Sequence, residues 1–575
     1  MNCTSPKVAG VVLSLGFVLA AAAALAGPAG ELESGFRSPP AAARPWVYWF
    51  VLNGSLTQEG ITADFEAMAR VGIGGVLYME VDQGAPKGTA DFAGTRWRGL
   101  LQHACREAQR LGIKINMNND AGWCGSGGPW ITPELSMQKI VWTETSVVGA
   151  QRFDALLPQP KANKDFYRDI ALLAYPTPAK SYVLPHIRGK AAEVREEIPL
   201  RTAFPATSAD VAVPRQRVVN LTAKLGTDGR LAWDVPAGNW TLLRMGHTTT
   251  GKDNHPAPEA GRGLECDKLS KEAAEVQFNS LMGRLIADNK GLVGEQRTLV
   301  STHIDSWEVG SQNWTPKFRE EFQRLRGYDP LSWLPVMSGR VVDNIEVSER
   351  FLWDVRMTVS DLLCENYADH FRTLANREGI RLSIEAYDTP PCDDLTYAGR
   401  ADEPMAEFWS WGGDGWAGFH AYSCTEMASA AHVYGRRILG AEAFTATNLE
   451  KWQGHPSAVK ALGDWAFCEG VNRFVFHRYA AQPWTSPDRA PGMSMGPWGL
   501  HYERTQTWWE MSRAWHEYLA RCQFMLQQGA FVADLCFLTP ESSPQRAKSP
   551  VKSGYDRPGY NFDLCPPEVV LTRMS

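Results

Sequence analysis

Residues 298–308 read TLVSTHIDSWE, an apolar and β-branched run that turns polar at its end. The part from Leu299 to Ile304 suits a buried strand of a parallel sheet, because such strands are covered on both faces. Asp305 and Glu308 follow at the carboxyl end of this strand, which is where a (β/α)8 barrel carries its catalytic groups. A carboxylate at this position can equally cap a helix or form a loop ion pair. The catalytic interpretation therefore requires that other predicted strands also end in polar groups.

Strand-like runs alternate with helix-like runs along most of the chain. A first strand at residues 46–52 precedes a helix that Thr57 opens and Gly72 ends. The other strands are predicted at residues 74–81, 113–117, 380–387, 437–444, 472–479 and 533–538. Together with the strand at residues 299–304 they make eight, and the intervening helices predict a (β/α)8 barrel.

The helical periodicity disappears between residues 141 and 250. Short β-like runs alternate there with turns such as residues 236–239. We therefore predict a small β-sandwich inserted into the barrel, with a packing role favoured over sugar binding. The predicted boundaries are a signal peptide at 1–26, a linker at 27–44, barrel segments at 45–142 and 251–540, the inserted domain at 143–250, and a loop-like, truncated tail at 541–575. Further C-terminal β domains are expected to be missing.

Composition excludes some functions and leaves others open. A net charge of -6 gives no basic face for nucleic acid. The 22 tryptophans fit either a large aromatic core or a sugar-binding protein. Residues 8–25 are apolar, and Ala24-Leu25-Ala26 forms a cleavage site, which predicts a secreted or periplasmic protein with no membrane segment after cleavage. An uncleaved membrane anchor is the alternative.

The cysteines show no pattern of a metal site. Ten remain after Cys3, and none lies at zinc-binding spacing from another cysteine or a histidine. Cys105 and Cys364 lie on apolar helix faces and are predicted to be buried thiols. Other cysteines could pair in an oxidising compartment.

The third predicted strand runs into a glycine-rich loop, NNDAGWCGSGGPW, at residues 118–130. It lacks the Lys-Ser/Thr ending of a phosphate-binding loop and the spacing of a dinucleotide fingerprint, so we reject both. Asn118, Asp120 and Trp123 on a long loop after a strand favour a substrate site over a flexible turn.

Several predicted strands end in polar side chains, so these are expected to converge at one barrel mouth. They are Asp120, Asp305, Glu308, Glu385, Glu442 and His477. Two carboxyl groups suffice to hydrolyse a glycosidic bond. For Glu385, a structural ion pair is nearly as good an interpretation as a substrate contact. For His477, a buried core histidine is nearly as good an interpretation as a sugar-binding residue. Glu407, on a loop with Trp409 and Trp411, is a spare catalytic candidate. Further tryptophans expected near the substrate are Trp123, Trp130, Trp307, Trp416 and Trp484.

Long motifs in the chain resemble glycoside hydrolase family 106, the α-L-rhamnosidases. They read RPWVYWFVLNG, GITADFEAMARVGIGGV, NNDAGWCGSGGPWITPELSMQ, HIDSWEVGSQNWT, SIEAYDTPP, GAEAFT and FHRYAAQPW. The resemblance implies a (β/α)8 barrel that cleaves by inversion with two glutamates, Glu308 as general acid and Glu442 as general base. It also implies calcium dependence in some members, but no EF-hand loop is present and the metal ligands stay unknown.

The leading hypothesis is an exo-acting α-L-rhamnosidase that releases terminal rhamnose from glycans or glycosides. Asn118, Asp120, Trp123, Asp305, Glu385, His477 and Trp484 are its predicted substrate-binding residues. A retaining glycosidase of other specificity and a non-catalytic glycan-binding protein remain as alternatives.

Overall fold

The computed structural model describes residues 28–199, 203–412, 418, 420–548 and 559–574, so the predicted signal peptide lies outside the described residues. Its centre is a closed barrel of eight parallel strands. They are β1 Trp46–Leu52, β2 Gly75–Val81, β3 Lys114–Asn118, β4 Leu299–Ile304, β5 Arg381–Glu385, β6 Glu403–Trp411, β7 Gly440–Ala446 and β8 Arg473–Ala480. Each strand pairs with its chain neighbours, and β8 closes on β1. The predicted (β/α)8 barrel is confirmed.

Helices cover the outside of the barrel. The main ones are Gln58–Val71, Thr95–Leu111, Lys271–Phe278, Arg284–Asp288, Phe318–Arg326, Ile345–Leu362, Asp369–Arg377, Asp394–Gly399, Tyr422–Val433, Pro456–Cys468 and Arg513–Leu526. The first begins where Thr57 accepts a hydrogen bond from the Gly60 amide, and it ends at Gly72 with a φ of 89°. None of the helices in the described ranges is both long enough and apolar enough to span a membrane.

Alternate residues of β1 show how the barrel separates its inside from its outside. Tyr48 and Phe50 face the barrel interior, where they belong to one apolar cluster. Trp49, between them, packs its ring against that of Phe65 on the first helix, with centroids 5.0 Å apart. Because successive side chains of a strand point to opposite faces, β1 carries both the inner and the outer core.

The prediction that residues 533–538 form the eighth barrel strand is wrong. Leu535–Leu538 instead pairs with Phe562–Cys565 in a two-stranded sheet outside the barrel. This sheet packs on the helix Tyr422–Val433, where Asp563 lies 2.8 Å from Nδ1 of His432. The tail predicted to be loop-like therefore holds a strand, and also a short helix, Pro567–Thr572.

The barrel strand that the sequence interpretation missed is β6. Pro404 and the two glutamates of EPMAEFWSW obscure its strand character, since proline and glutamate are both depleted in strands. Glu407 therefore lies within a strand and not, as predicted, on a loop with Trp409 and Trp411.

The β-rich insertion forms two small sheets. Gln138–Val148, Asn239–Thr249, Arg168–Pro176 and Val219–Asn220 make a four-stranded sheet, and Gln151–Leu156 pairs with Arg230–Val235. Apolar side chains of both sheets, among them Leu172, Trp233 and Leu242, share one buried cluster. The predicted inserted sandwich is thus present.

The ten described cysteines are all free thiols. Cys105 and Cys364 are buried, as predicted from their positions on apolar helix faces. Burial raises the pKa of Cys105 to about 12, so this thiol stays protonated near neutral pH.

Candidate active site

A cavity of about 240 Å³ opens at the carboxyl end of the barrel. Its lining includes six carboxylate side chains, which are Asp305, Glu308, Glu385, Asp388, Glu407 and Glu442. Asp305, Glu308 and Asp388 lie in the loops that follow β4 and β5. Glu385 ends β5, and Glu407 and Glu442 lie within β6 and β7. The barrel thus brings both predicted catalytic glutamates into one cavity.

Glu385, the last residue of β5, lies on the floor of the cavity. It is 1% exposed, and it accepts hydrogen bonds from the hydroxyl groups of Tyr48 at 2.5 Å and Tyr387 at 2.6 Å. Burial, followed by the charges of Asp305 and Glu442, raises the pKa of Glu385 well above its ordinary value. The two tyrosines hold its carboxyl group in one orientation.

Asp305 is held by a chain of hydrogen bonds that crosses the barrel. Asn116 Nδ2 donates to Ser383 Oγ at 2.8 Å, and Ser383 Oγ lies 2.7 Å from Nδ1 of His303. Nε2 of the same imidazole lies 3.0 Å from Oδ2 of Asp305. The Ser383 oxygen already accepts a hydrogen bond from Asn116, so the serine hydroxyl can donate its own proton to Nδ1 of His303. Nε2 then carries the imidazole proton and donates to Asp305.

Glu407 and Glu442 form a carboxyl pair across neighbouring strands. They are register partners of β6 and β7, and their side chains hydrogen-bond to each other. Burial and the charges of Glu407 and Asp305 raise the pKa of Glu442 well above its ordinary value. Thr445 Oγ1 also donates to Glu442, while Nδ1 of His477 lies 3.7 Å from it. The pair therefore retains a proton that two separate carboxylates would release.

Glu308 lies at the rim of the cavity, and its side chain is 36% exposed. Trp123 Nε1 donates to its Oε2 at 3.1 Å, and Ser306 Oγ donates to its Oε1 at 3.1 Å. Withdrawal from water, followed by the charges of Asp305 and Asp388, raises the pKa of Glu308 to about 7. A carboxyl group with this pKa is protonated in half of the molecules at neutral pH, as a general acid requires.

Aromatic side chains form the walls of the cavity. Trp123, predicted as a substrate contact, is joined by Phe50, Tyr387, Trp409 and Trp498. The rings of Trp409 and Trp498 meet edge to face, with centroids 6.2 Å apart. The sequence interpretation missed Tyr48, Tyr387, His420, Thr445 and Trp498, although the alternation of β1 already directed Tyr48 inward.

Three predicted substrate contacts do not line the cavity. Asn118 Nδ2 donates to the carbonyl groups of Asp120 and Gly122, and Asp120 Oδ2 accepts from the amide of Gly127. These two residues fold the loop that carries Trp123. Trp484 is 42% exposed and stacks with the Arg489 guanidinium, 5.4 Å from its ring centroid. Their substrate-binding roles stay predictions.

The other tryptophans expected near the substrate are also accounted for, apart from Trp416, which lies outside the described residues. Trp130 Nε1 donates to Gln277 at 2.7 Å, and Trp307 Nε1 donates to the Gly310 carbonyl at 2.5 Å. Trp411 packs against the main core. These three rings pack behind the residues of the barrel mouth and do not line the cavity.

Two groups of side chains among the described residues could hold a metal ion. His303, Asp305 and Glu385 form one group at the cavity floor. Cys124 and His255 form the second group with Glu308, which lines the cavity at its rim. In each group the potential ligand atoms lie within 4.8 Å of one another. The floor offers two carboxylates and the rim offers a thiol, so the two groups suit different cations.

Fold and site together define the class of (β/α)8 glycoside hydrolases, in which paired carboxyl groups meet at the carboxyl ends of the barrel strands. The model of the family Glyco_hydro_106, alpha-L-rhamnosidase, matches residues 37–183 and 180–575. The chain therefore belongs to this family, as the motifs predicted.

Two relatives are similar to the chain. A rhamnosidase from Novosphingobium sp. PP1Y has a similar structure, with a TM-score of 0.84 and 27% identity over 94% of this chain and 64% of that one. A protein of Formosa agariphila named "Putative beta-glucuronidase" is 41% identical over 535 residues, which are 93% of this chain and 45% of that protein. The chain thus spans about half to two thirds of the length of these relatives.

Proposed function

We propose that this barrel releases terminal α-L-rhamnose from oligosaccharides, polysaccharides or glycosides by inversion, with Glu308 as general acid and Glu442 as general base. One observation carries the proposal. Two carboxyl groups in the same cavity have different surroundings, since Glu308 lies at the open rim with a pKa of about 7 and Glu442 is buried beside Glu407. Carboxyl groups whose surroundings differ in this way are suited to different roles in proton transfer.

The acid step requires a proton close to the leaving oxygen. The carboxyl O–H of Glu308 gives this proton to the glycosidic oxygen as the bond from that oxygen to the anomeric carbon breaks. Trp123 and Ser306 donate to the carboxylate that remains, one to each oxygen, and so stabilise the charge that forms. The aglycone leaves as a neutral alcohol through the open rim.

The base step requires an acceptor for a proton of the attacking water. The carboxyl pair of Glu407 and Glu442 supplies it, because two carboxyl groups that share one proton still include one carboxylate. Glu442 takes the water proton while the oxygen bonds to the anomeric carbon from the opposite face. His477 has a pKa well below its ordinary value because of burial and Arg478, so it stays neutral and adds no competing positive charge.

The charges of the cavity favour rhamnose over glucuronate, the sugar implied by the name of the Formosa agariphila relative. Among the described residues that line the cavity there is no lysine or arginine, while six carboxylates are present. A glucuronate carboxylate would meet repulsion here, whereas rhamnose is neutral. The C6 methyl group of rhamnose would suit the apolar wall of Phe50 and Met495. A cavity of about 240 Å³ also lies below the about 300–1,000 Å³ of pockets for larger ligands, which favours a single terminal sugar.

Calcium fits the floor of the cavity, where Asp305 and Glu385 would hold it. Both offer carboxylate oxygens as ligands, and the negative charge of each adds to the repulsion among the carboxylates of the cavity. A bound calcium ion would supply positive charge that offsets the carboxylates and attracts sugar hydroxyl groups. Tyr48 and Tyr387 hold Glu385, and His303 holds Asp305, so the residues of the site are already oriented.

The predicted signal peptide supports a secreted or periplasmic location for this activity.

Proton NMR of the hydrolysis of an aryl α-L-rhamnoside, with calcium present, tests the reaction. We expect β-rhamnose to appear first and then to mutarotate. Initial α-rhamnose would contradict inversion, and release of glucuronate from an aryl β-glucuronide without release of rhamnose would contradict the substrate. We expect Glu308→Gln and Glu442→Gln to lose turnover while binding rhamnose, and wild-type rates in both would reject this pair.

A further inference from the structure

We propose that Cys124, His255 and Glu308 form a binding site for a borderline-soft divalent cation, with Zn²⁺ as the best match, and that the bound cation blocks the active site. The ligand atoms of these three side chains lie within 4.8 Å of one another. They offer one sulfur, one nitrogen and one carboxylate oxygen, which is a combination that zinc binds. The three residues are far apart in the sequence, so no spacing motif reveals them.

The approach to the site is open on one side only. Cys124 is fully buried, whereas the side chain of His255 is 53% exposed and that of Glu308 is 36% exposed. Ligands of one tetrahedral zinc ion lie about 3–4 Å apart. Nε2 of His255 already lies 3.9 Å from Oε2 of Glu308, so only a small movement is needed to bring all three atoms to this spacing. The exposed imidazole of His255 can make this movement by rotation. Three protein ligands leave the fourth position for water on the cavity side.

Metal binding must displace the thiol proton of Cys124, one hydrogen bond and, in molecules where Glu308 is protonated, the carboxyl proton as well. The Cys124 thiol donates to the backbone carbonyl of His255 at 2.6 Å. When Zn²⁺ binds, the sulfur keeps its electron pair for the Zn–S bond and the thiol proton leaves to solvent. The His255 carbonyl also accepts from the amide of Trp123 at 3.0 Å, so it keeps a partner after the thiol turns away. Affinity is therefore expected to rise with pH.

The consequence for activity rests on the proposed function. If Glu308 is the general acid, a cation on its carboxylate prevents protonation and also stands where the leaving group departs. Zinc then inhibits hydrolysis. Binding itself does not depend on the role of Glu308, because only the three ligands are required. The floor group of His303, Asp305 and Glu385 offers no sulfur, so a sulfur signal distinguishes the two sites.

The experiment uses Co²⁺ as an optical substitute for Zn²⁺, with the wild-type protein kept saturated with calcium to occupy the floor. We expect a sulfur-to-cobalt charge-transfer band in the wild-type protein. The band is lost in Cys124→Ser and weakened in His255→Ala. It persists in Cys468→Ser, the matched control, which removes an exposed thiol at the end of the helix Pro456–Cys468. Competition with a chromophoric chelator then measures the Zn²⁺ affinity, which we expect to fall at least about tenfold in Cys124→Ser and His255→Ala.

Several outcomes decide the proposal. Unchanged Zn²⁺ affinity in both variants, or a charge-transfer band that disappears only in Cys468→Ser, overturns it. If Cys124→Ser fails to fold by circular dichroism, His255→Ala decides alone, because this exposed side chain can be truncated without a cavity. Inhibition by Zn²⁺, relative to the zinc-free rate of each calcium-saturated protein, should weaken in the variants that lose Zn²⁺ affinity. A band that is lost in Cys124→Ser without any inhibition of the wild-type protein supports the binding site, overturns the proposed block of the active site and contradicts Glu308 as the acid.

Discussion

The pKa of Glu308 makes a quantitative prediction about pH. A general acid works only when protonated, so wild-type kcat/KM for an alkyl rhamnoside should fall as pH rises through about 7. Glu308→Gln carries no ionisable group at this position, so its profile should lack the alkaline limb. The matched variant Asp388→Asn removes a charge that raises the Glu308 pKa, and its limb should move to lower pH.

The magnitude follows from the protonated fraction. General acid catalysis contributes about 10²–10⁴-fold, so Glu308→Gln should lose that much at pH 5, where almost every wild-type molecule is protonated. At pH 9 a group with a pKa of about 7 keeps its proton in about one molecule in a hundred. The gap between wild type and Glu308→Gln should therefore narrow by about two orders of magnitude between these pH values.

The assay is steady-state kinetics on two substrates in buffers free of transition metals. An alkyl rhamnoside has a poor leaving group and needs the proton, whereas a 4-nitrophenyl rhamnoside needs it much less. Glu308→Gln should therefore affect the alkyl substrate more strongly. An alkaline limb that persists in Glu308→Gln, or equal losses on both substrates, would show that another group is the acid.

Three further predictions concern the carboxylates and their partners. Glu407→Gln removes the charge beside Glu442, so the Glu442 pKa should fall and the acid limb of kcat/KM should move down by about one pH unit or more, with the alkaline limb unchanged as the internal control. An unmoved acid limb would reject the coupling. Glu80→Gln should cost about 1–3 kcal/mol in chemical denaturation, because Gly54 N, Tyr78 and Trp97 all donate to Glu80 and an amide cannot accept all three bonds. The control Glu59→Gln removes an exposed charge from the first turn of a helix and should cost no more than about 0.3–1 kcal/mol, and a Glu80→Gln cost no larger than this would refute the argument. Removal of calcium with a chelator should lower both activity and Tm, and added Ca²⁺ should restore them; indifference to chelation would exclude the floor site.

The barrel was predictable because its buried strands can be recognised from short local runs of the sequence. The run WVYWFVL of β1 is apolar on both faces, the run LVSTHI before Asp305 is apolar or β-branched at most positions, and glycines such as Gly72 mark the helix ends. The misassigned strand shows the limit of this approach. Leu535–Leu538 is a strand, but its partner Phe562–Cys565 is set by packing on a distant helix. Local pattern predicts that a strand exists and does not predict which sheet it joins.

The candidate site was predictable to the extent that a barrel collects the carboxyl ends of its strands. This rule placed Glu308, Glu385 and Glu442 together, and it did not depend on side-chain detail. The partners of these groups depend on barrel closure. Tyr48 reaches Glu385 across 337 residues of sequence, and no local pattern encodes that contact. Asn118 ends β3 and Asp120 follows it, yet their side chains turn back to hold their own loop.

The same features that suit Glu308 for acid catalysis also expose it to metal ions. The negative charges of Asp305 and Asp388 raise its pKa, and by the same Coulomb attraction they favour any cation that approaches the rim. A proton and a metal ion therefore compete for one carboxylate. Which cation wins depends on the neighbours, because the floor offers carboxylates while the rim adds Cys124 and His255. Calcium prefers the floor for its oxygen ligands, and a softer cation prefers the rim for its sulfur. If both proposals hold, one cavity would bind a supporting calcium ion at the floor and an inhibiting cation at the rim at the same time.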